Sequence, residues 1–249
     1  LSEPEISFMA EGFGNFNYLV EEVGKKYVLR IKKTKETQFE DSLEREHSFL
    51  KYFEYKGIEF CPKVYFFDKE DNFLIEEYLE GKEVSQRDFT NEQIDIFAKQ
   101  LHDLFTLPVG DYQDFCKMHN CREFSYVSPT DSLQIYGFNR FALAKEQGLE
   151  SEVSQWIELQ LQQSLRSVRA MEVSQDTRGF NWGDLQSNVI IGLDEKMYFY
   201  DFEHTNISHS FGLPYVKIHG AFSDTQFQFF VERCAIHFDH TEESLYGEI

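Results

Sequence analysis

A glutamate in the middle of an apolar helix face is the feature that most constrains how this chain can fold. The predicted helix over residues 37 to 57 carries its apolar face at Phe39, Leu43, Leu50 and Phe53. Glu46 follows Leu43 by three residues and precedes Leu50 by four, so it points into that face. Because an unpaired buried carboxylate costs several kcal/mol, a cation should meet it. Arg30, in the apolar run "YVLRI", is the candidate. A purely structural ion pair and a position at the rim of the face remain alternatives.

The chain begins with strands and continues with helices. Strands are predicted around the loop "GFGNFN", around the hairpin turn "EEVGKK", and in "PKVYFFD" and "NFLIEEYLEG". After Gly81 the composition becomes helical, and Thr90 with Gln93 forms a capping box before a helix that ends before Pro108. A helix over residues 150 to 170 has its apolar stripe at Val153, Ile157, Leu161, Leu165 and Val168. A last helix is predicted near residues 223 to 238, and the aromatic segment 109 to 149 is read as irregular.

These elements predict an α+β fold with two lobes. We expect an N-terminal lobe, residues 1–80, with a small antiparallel sheet and one helix. A larger, mainly helical C-terminal lobe, residues 81–249, would follow it. The total of 249 residues is compatible with two such units.

The charge balance excludes several classes of partner. The chain has 44 Asp and Glu residues against 24 Lys and Arg, a formal net charge of −20. Since nucleic acids and anionic membranes are bound through Lys and Arg, neither is an expected partner. A charged partner is expected to be a cation, although a soluble acidic surface explains most of these carboxylates by itself.

Cysteine usage predicts a cytoplasmic protein. The four cysteines are scattered, and no basic and apolar leader precedes them. The run "CKMHNC" contains Cys116, His119 and Cys121, but no second ligand pair at zinc-site spacing follows, so buried free thiols are expected. No apolar run approaches the ~20 residues that a membrane-spanning helix needs.

Two further segments predict a phosphate and metal site. In "GFGNFN", Gly12 and Gly14 would let backbone N–H groups approach phosphate oxygens, although many hairpins share this pattern. The strands "NVIIG" and "MYFYDF", joined by the turn "LDEK", would bring Asp184, Asn188 and Asp201 to one edge. Asn and Asp oxygens suit Mg²⁺, which takes few protein ligands and adds phosphate or water oxygens. Taken singly, each segment is also compatible with an ordinary turn.

The order of these parts resembles that of protein-kinase-like phosphotransferases. The parts occur in this order: a glycine-containing loop, an Arg on a strand, a Glu on the inward face of a helix, a boundary at Gly81, and Asp, Asn and Asp on a hairpin. In detail the chain resembles the aminoglycoside phosphotransferase and choline kinase superfamily, in "GNFNYLVEEVGKKYVLRI", "EREHSFLKYFEYKGIEFCPKVY", "FLIEEYLEG", "FAKQLHDL", "WGDLQSNVII" and "YFYDFEH". These stretches cover most of the chain outside residues 109 to 175.

The resemblance implies a nucleotide site in the first lobe. Arg30 would hold the nucleotide phosphates, and Glu46 would orient it. The backbone around Glu76 to Tyr78 would hold the adenine edge at the junction of the lobes. The implied nucleotide is ATP, although the residues leave the choice between ATP and GTP open.

The resemblance also implies the catalytic groups and the reaction. Asp184 would be the catalytic aspartate, which accepts the proton of the attacking hydroxyl, and Asn188 with Asp201 would hold Mg²⁺. The γ-phosphoryl group of ATP would pass to a hydroxyl of a small-molecule acceptor. The acidic chain favours a cationic acceptor, such as an aminoglycoside-, choline- or thiamine-like compound.

The catalytic loop departs from the family pattern. Three residues separate Asp184 from Asn188, where the family has four, and Trp182 stands where His is usual. The short loop keeps open a catalytically impaired pseudokinase that binds nucleotide or a partner. The aromatic middle segment keeps open a kinase that acts on protein.

Overall fold

The first part of the chain builds a five-stranded antiparallel sheet with one long helix. The computed structural model describes residues 3–12, 14–33, 41–125, 128–171, 178–183, 188–208 and 220–239. Strands β1 to β5 span Glu5–Glu11, Asn15–Glu22, Lys25–Lys32, Val64–Asp68 and Phe73–Glu77, and helix α1 spans Ser42–Tyr55. The strand order is β1-β2-β3-β5-β4. Leu43, Leu50 and Phe53 of α1 are buried as predicted, whereas Phe39 lies outside the described residues.

The turn between β2 and β3 is a two-residue hairpin turn. Val23 and Gly24 both have positive φ, 51° and 75°, as a type I′ turn requires. The register then runs without a shift from Glu22 opposite Lys25 to Asn15 opposite Lys32. The hairpin predicted at "EEVGKK" is confirmed, and its register fixes which face of the sheet Arg30 occupies.

The chain passes from this sheet to a second sheet within three residues, 78 to 80. Strand β6 (Gly81–Glu83) pairs with β8 (Val189–Gly192), which pairs with β9 (Met197–Phe199). The single strand predicted in "NFLIEEYLEG" is therefore wrong beyond Glu77, and a short strand precedes the helical region. A Cβ on Gly81 would lie 2.3 Å from the carbonyl oxygen of Ile191, so glycine permits the close approach of β6 to β8.

Two other short strands precede β8 and follow β9 in the sequence. Strands β7 (Gly179–Asn181) and β10 (Asn206–Ser208) form an antiparallel pair. The predicted strands "NVIIG" and "MYFYDF" correspond to β8 and β9, and the turn between them is confirmed. Sequence periodicity did not predict β7 and β10, because three residues are too few for a pattern.

The rest of the described chain is mainly helical. Helices α2 to α7 span Asn91–Phe105, Val109–His119, Pro129–Ser132, Arg140–Glu146, Ser151–Met171 and Asp224–His237, and a π-helical stretch, Leu133–Asn139, precedes α5. The capping box of Thr90 and Gln93 is present, and Ser223 with Gln226 forms another at the start of α7. No helix in the described ranges is long and apolar enough to cross a membrane.

Two predictions about the helical region are corrected. Segment 109 to 149 is largely helical rather than irregular: α3 buries Tyr112, Phe115 and Cys116 at helical spacing, and Asn120, with φ 53°, ends it. Helix α6 forms where it was predicted, but Val153 is 42% exposed, so the stripe is not buried throughout. The large side chain of Trp156 on the same helix is also exposed.

Aromatic side chains join α1 to the second part of the molecule. Phe49 and Tyr112 stack with ring centroids 5.0 Å apart, and Phe180 of β7 meets Phe53 edge to face at 5.7 Å. All four rings are fully buried. This packing fixes α1, and with it Glu46, relative to the strands that follow residue 178.

Candidate functional site

Arg30 lies at the centre of a buried cluster of charged side chains. It is on β3, opposite Leu74 of β5, and it is only 6% exposed. Its Nη1 donates to Oε1 of Glu46 at 2.6 Å, and its Nη2 donates to Oδ1 of Asp201 at 2.7 Å. The predicted contact between Arg30 and Glu46 is confirmed. The forked guanidinium thus joins α1 on one side to the chain after β9 on the other.

Two further carboxylates surround this guanidinium. Oε1 of Glu76 lies 3.9 Å from Nη1 of Arg30, and Oε2 of Glu203 lies 3.8 Å from Nη2. The side chains of both acids are largely buried. Four acidic side chains therefore face one described cation, and the cluster carries excess negative charge when they are ionised.

Burial and mutual charge shift the pKa values of this cluster. Burial alone would lower the pKa of Arg30, but the carboxylates of Glu46 and Asp201 raise it well above its ordinary value. Burial raises the pKa of Glu46 well above its ordinary value, against the attraction of Arg30. Burial also raises the pKa of Glu76 to about 7, with Arg30 opposing and Asp201 adding to the rise. An incoming cation or hydrogen-bond donor would stabilise the ionised acids.

The hairpin of β8 and β9 brings Asn188 and Asp201 to the same end. Val189 is paired with Phe199, and the N–H of Tyr200 donates to the carbonyl of Asn188 at 3.1 Å. The predicted proximity of Asn188 and Asp201 along this edge is confirmed. The third predicted residue, Asp184, lies outside the described residues.

Asp201 has a backbone conformation that is uncommon for a residue other than glycine. Its φ is 62°, in the left-handed region. Strand β9 therefore ends at Phe199, and the prediction that Asp201 ends the strand is wrong by two residues. Nε1 of Trp182 donates to the carbonyl of Asp201 at 3.2 Å, and its ring stacks on Phe199 at 4.4 Å. Trp182 thereby holds the main chain of Asp201.

The glycine-containing loop faces the acids that come late in the chain. Nδ2 of Asn15 donates to Oε2 of Glu203 at 2.8 Å. A Cβ on Gly14 would lie 3.6 Å from Nζ of Lys32 and 3.8 Å from Oε2 of Glu203, which are ordinary contacts. A Cβ on Gly12 would lie 3.6 Å from the carbonyl oxygen of Asn15. The described neighbours therefore leave room for a side chain at both glycines.

Asn15 and Glu203 are site residues that sequence reasoning did not single out. Asn15 follows Gly14 directly, and Glu203 follows Asp201 by two residues. Two signals in the sequence could have indicated them: a polar residue directly after the glycines, and an acid close to the hairpin aspartate. Each signal is weak alone, because the contact joins residues 188 positions apart.

A cavity of about 350 Å³ extends from Arg30 and Asp201 toward the junction of the two sheets. Its apolar lining is formed by Met9, Ala10, Val28, Pro62, Leu79 and Ile190. Glu76 and Tyr78, two residues predicted at the nucleotide edge, also line it. The cavity therefore has a charged end at Arg30, Glu76 and Asp201 and an apolar part at the six side chains just named, and Glu77, Tyr78 and Glu83 line it as well.

The charged end is chemically suited to a hard cation. Asn188 and Asp201 offer amide and carboxylate oxygens, and the excess of carboxylates around Arg30 favours a positive ion. Among the described residues, no group of three or more His, Cys, Asp or Glu side chains is arranged to hold a metal. A Mg²⁺ ion here would therefore need phosphate or water oxygens as well, which is its usual mode of binding.

Comparisons with known proteins agree with this architecture. Residues 5–209 match the phosphotransferase enzyme family. No curated protein matches the chain at a significant level. The fold is similar to that of an ethanolamine kinase of Plasmodium vivax, with a TM-score of 0.68 and 16% identity over 97% of this chain and 69% of that one.

Two further solved structures have the same fold. The choline kinase LicA from Streptococcus pneumoniae aligns with a TM-score of 0.61 and 17% identity, over 87% of this chain and 70% of that one. The streptomycin–ATP–APH(2")-IIa ternary complex aligns with a TM-score of 0.58 and 17% identity, over 94% of this chain and 84% of that one. The predicted α+β fold with two kinase-like lobes is therefore confirmed. Since the family match extends over most of the sequence, the chain belongs to the phosphotransferase enzyme family.

Proposed function

We propose that the protein is an ATP-dependent phosphotransferase that moves the γ-phosphoryl group to a hydroxyl of a small cationic molecule. One observation carries the proposal. Arg30 is held between Glu46 and Asp201, at 2.6 and 2.7 Å, at the charged end of a cavity whose other part is apolar. A nucleoside triphosphate needs this combination of a cation for its phosphates and apolar walls for its base.

Each residue has a distinct part in the proposed reaction. Arg30 binds phosphate oxygens, and Glu46 keeps the guanidinium in place. Backbone N–H groups near Gly12 and Gly14 approach the phosphates, and Asp184 orients the acceptor hydroxyl and takes its proton. Asn188 and Asp201 hold Mg²⁺, which when bound neutralises charge on the phosphates.

A cationic acceptor is favoured by the charge of the molecule. The net charge of the chain is −20. An amine-bearing acceptor would be attracted to such a surface. The names of the similar structures include ethanolamine kinase, choline kinase and a complex with streptomycin, and these three compounds all carry cationic nitrogen groups at neutral pH.

The test is acceptor-dependent formation of ADP. Purified protein with Mg²⁺ and ATP is incubated with a panel of choline-, ethanolamine-, thiamine- and aminoglycoside-like alcohols. At least one acceptor should raise ADP formation, and Asp184→Ala should reduce the rate by about 10²-fold or more. Asp194→Asn is the matched control, because it removes a carboxylate in the exposed turn between β8 and β9. Equal activity of Asp184→Ala and the wild type would contradict the assignment.

A second candidate is a pseudokinase, motivated by the loop of three residues between Asp184 and Asn188. It predicts a thermal shift with ATP and Mg²⁺ but no transfer to any acceptor. A kinase acting on protein predicts labelling of a protein by radioactive ATP instead. One clean phosphorylated small molecule would exclude the pseudokinase.

A further inference from the structure

Glu76 is a buried acid at the border between the two parts of the cavity. On β5 it lies directly opposite Val28 of β3, and Arg30 follows Val28 by two residues on the same face of the sheet. All three residues line the cavity. Glu76 thus lies between the apolar wall at Val28 and the cation at Arg30.

The carboxylate of Glu76 is not satisfied by the protein. Only 5% of the residue is exposed, and Oε2 has no hydrogen-bond partner within the described ranges. Its other oxygen lies 3.9 Å from Arg30, whose Nη atoms bond to Glu46 and Asp201 at 2.6 and 2.7 Å. A buried acceptor without a donor costs free energy, so it would be stabilised by a ligand that supplies an N–H group.

The proposed function places a nucleobase in the apolar part of this cavity, and the inference rests on that function. Purines differ at position 6, where adenine has an amino group and guanine and hypoxanthine have a carbonyl. An amino group would donate to the ionised carboxylate of Glu76, whereas a carbonyl would place two acceptors against each other when the carboxylate is ionised.

We propose that Glu76 selects the nucleobase by accepting a hydrogen bond from the 6-amino group of adenine. The protein then binds ATP in preference to triphosphates of 6-oxo purines. Glu76 is a specificity-determining residue in this proposal, and it takes no part in the transfer of the phosphoryl group. The neighbouring Glu77 has a different environment: side chains alternate along β5, and Oε2 of Glu77 accepts from the N–H of Lys63.

The decisive experiment compares nucleotides on the wild-type protein. Isothermal titration in Mg²⁺ at about pH 8.5, where Glu76 is ionised, measures the Kd of three nucleotides: ATP, purine riboside triphosphate, which lacks only the 6-amino group, and inosine triphosphate. Loss of a hydrogen bond to a charged group weakens binding about tenfold or more, so purine riboside triphosphate should bind about tenfold more weakly than ATP. Inosine triphosphate should bind more weakly still.

Two substitutions then assign the preference to Glu76. Glu76→Leu should reduce the difference between ATP and purine riboside triphosphate to less than about twofold. Glu76→Gln should improve inosine triphosphate relative to ATP, because an amide can donate to a carbonyl. Glu80→Gln is the matched control, since Glu80 is exposed and pairs with Lys26, and it should keep the wild-type preference.

The outcomes separate this inference from the proposed function. Equal binding of ATP and purine riboside triphosphate by the wild type would overturn the role of Glu76 and leave phosphotransfer standing. A protein that binds no nucleotide would overturn the proposed function and the inference with it. Should Glu76→Leu fail to fold, Glu76→Gln, which keeps the size of the side chain, still tests the role of Glu76: an unchanged preference for ATP over inosine triphosphate in that variant would overturn it.

Discussion

The main-chain N–H of Phe202 donates a hydrogen bond of 2.8 Å to Oε1 of Glu46. The same oxygen accepts from Nη1 of Arg30. One atom of α1 therefore positions both the cation on β3 and the residue that follows Asp201. A displacement of α1 would change the distance between Arg30 and Asp201.

Removing this oxygen is expected to destabilise the protein strongly. Glu46→Ala should lower the free energy of unfolding by about 3 to 5 kcal/mol, because Arg30 and the N–H of Phe202 both lose a buried partner. Glu46→Gln keeps an acceptor for Phe202 and should cost clearly less. Urea unfolding at pH 7 measures both variants. Equal losses would mean that side-chain packing, rather than the shared oxygen, determines the stability.

Gly14→Ala is expected to separate the requirements of folding from those of nucleotide binding. The added Cβ would have only ordinary contacts, the nearest at 3.6 Å, so Tm should change by less than about 3 °C. ATP affinity should fall about tenfold, because the methyl group obstructs a phosphate at the backbone. Calorimetry and titration provide the two readouts.

The control for Gly14 is a glycine that the fold itself requires. A Cβ on Gly179 would lie 2.1 Å from the carbonyl oxygen of Phe105, so Gly179→Ala should destabilise the protein severely. If Gly14→Ala bound ATP as well as the wild type, the loop backbone would not contact the phosphates.

Trp182→Phe is expected to weaken metal-dependent nucleotide binding with a small loss of stability. Phenylalanine can still stack on Phe199 but loses the hydrogen bond to the carbonyl of Asp201, worth about 1 kcal/mol. The left-handed backbone of Asp201 would then be less well held, and more Mg²⁺ should be needed for half-maximal ATP binding. Trp156→Phe, at an exposed position of α6, is the control. The same effect in both variants would rule out a specific role of Trp182.

His47 is expected to make stability depend on pH below neutrality. Its ring stacks on Phe67 at 4.9 Å, and burial, with Lys51 adding to it, lowers the pKa of His47 to about 4. The unfolded chain has an imidazole pKa of about 6.5, so it takes up a proton first as the pH falls. The stability of the folded state is therefore lost progressively from about pH 6.5 toward pH 4.

Urea midpoints at pH 7 and pH 5 measure this effect. The wild type should lose more stability over that interval than His47→Gln, which cannot take up a proton. Parallel pH dependence in the two proteins would show that other groups cause the loss.

The Arg30–Glu46 pair could be predicted from the sequence because it depends on the spacing of residues within one helix and on the cost of burying an unpaired charge. Helical spacing placed Glu46 on an apolar face, and the cost of an unpaired buried charge required a cation nearby. The capping box at Thr90 was equally local. The helices of segment 109 to 149 were missed because they are short and because a left-handed Asn120, not a glycine, ends α3.

Other features depended on contacts between distant parts of the chain. The pairing of β6 with β8 joins residues about a hundred positions apart, and no local pattern specifies it. Burial of Glu76 depends on the register of β5 with β3, so the chain alone did not distinguish its side chain from that of Glu77. The bond from Arg30 to Asp201 likewise spans 171 positions.

The three residues that link β5 to β6 determine how the cleft can widen. Glu80 in this link is held on both sides, by Lys26 at 3.3 Å and by the N–H of Leu193 at 3.2 Å. The contact between Asn15 and Glu203 lies at the other end of β3, five residues and about 17 Å away along the strand. A rotation of the sheet about residues 78 to 80 would move Asn15 far, because Asn15 lies at the end of β2 away from this link. Such a rotation would have to break the hydrogen bond between Asn15 and Glu203 and the one between Arg30 and Asp201.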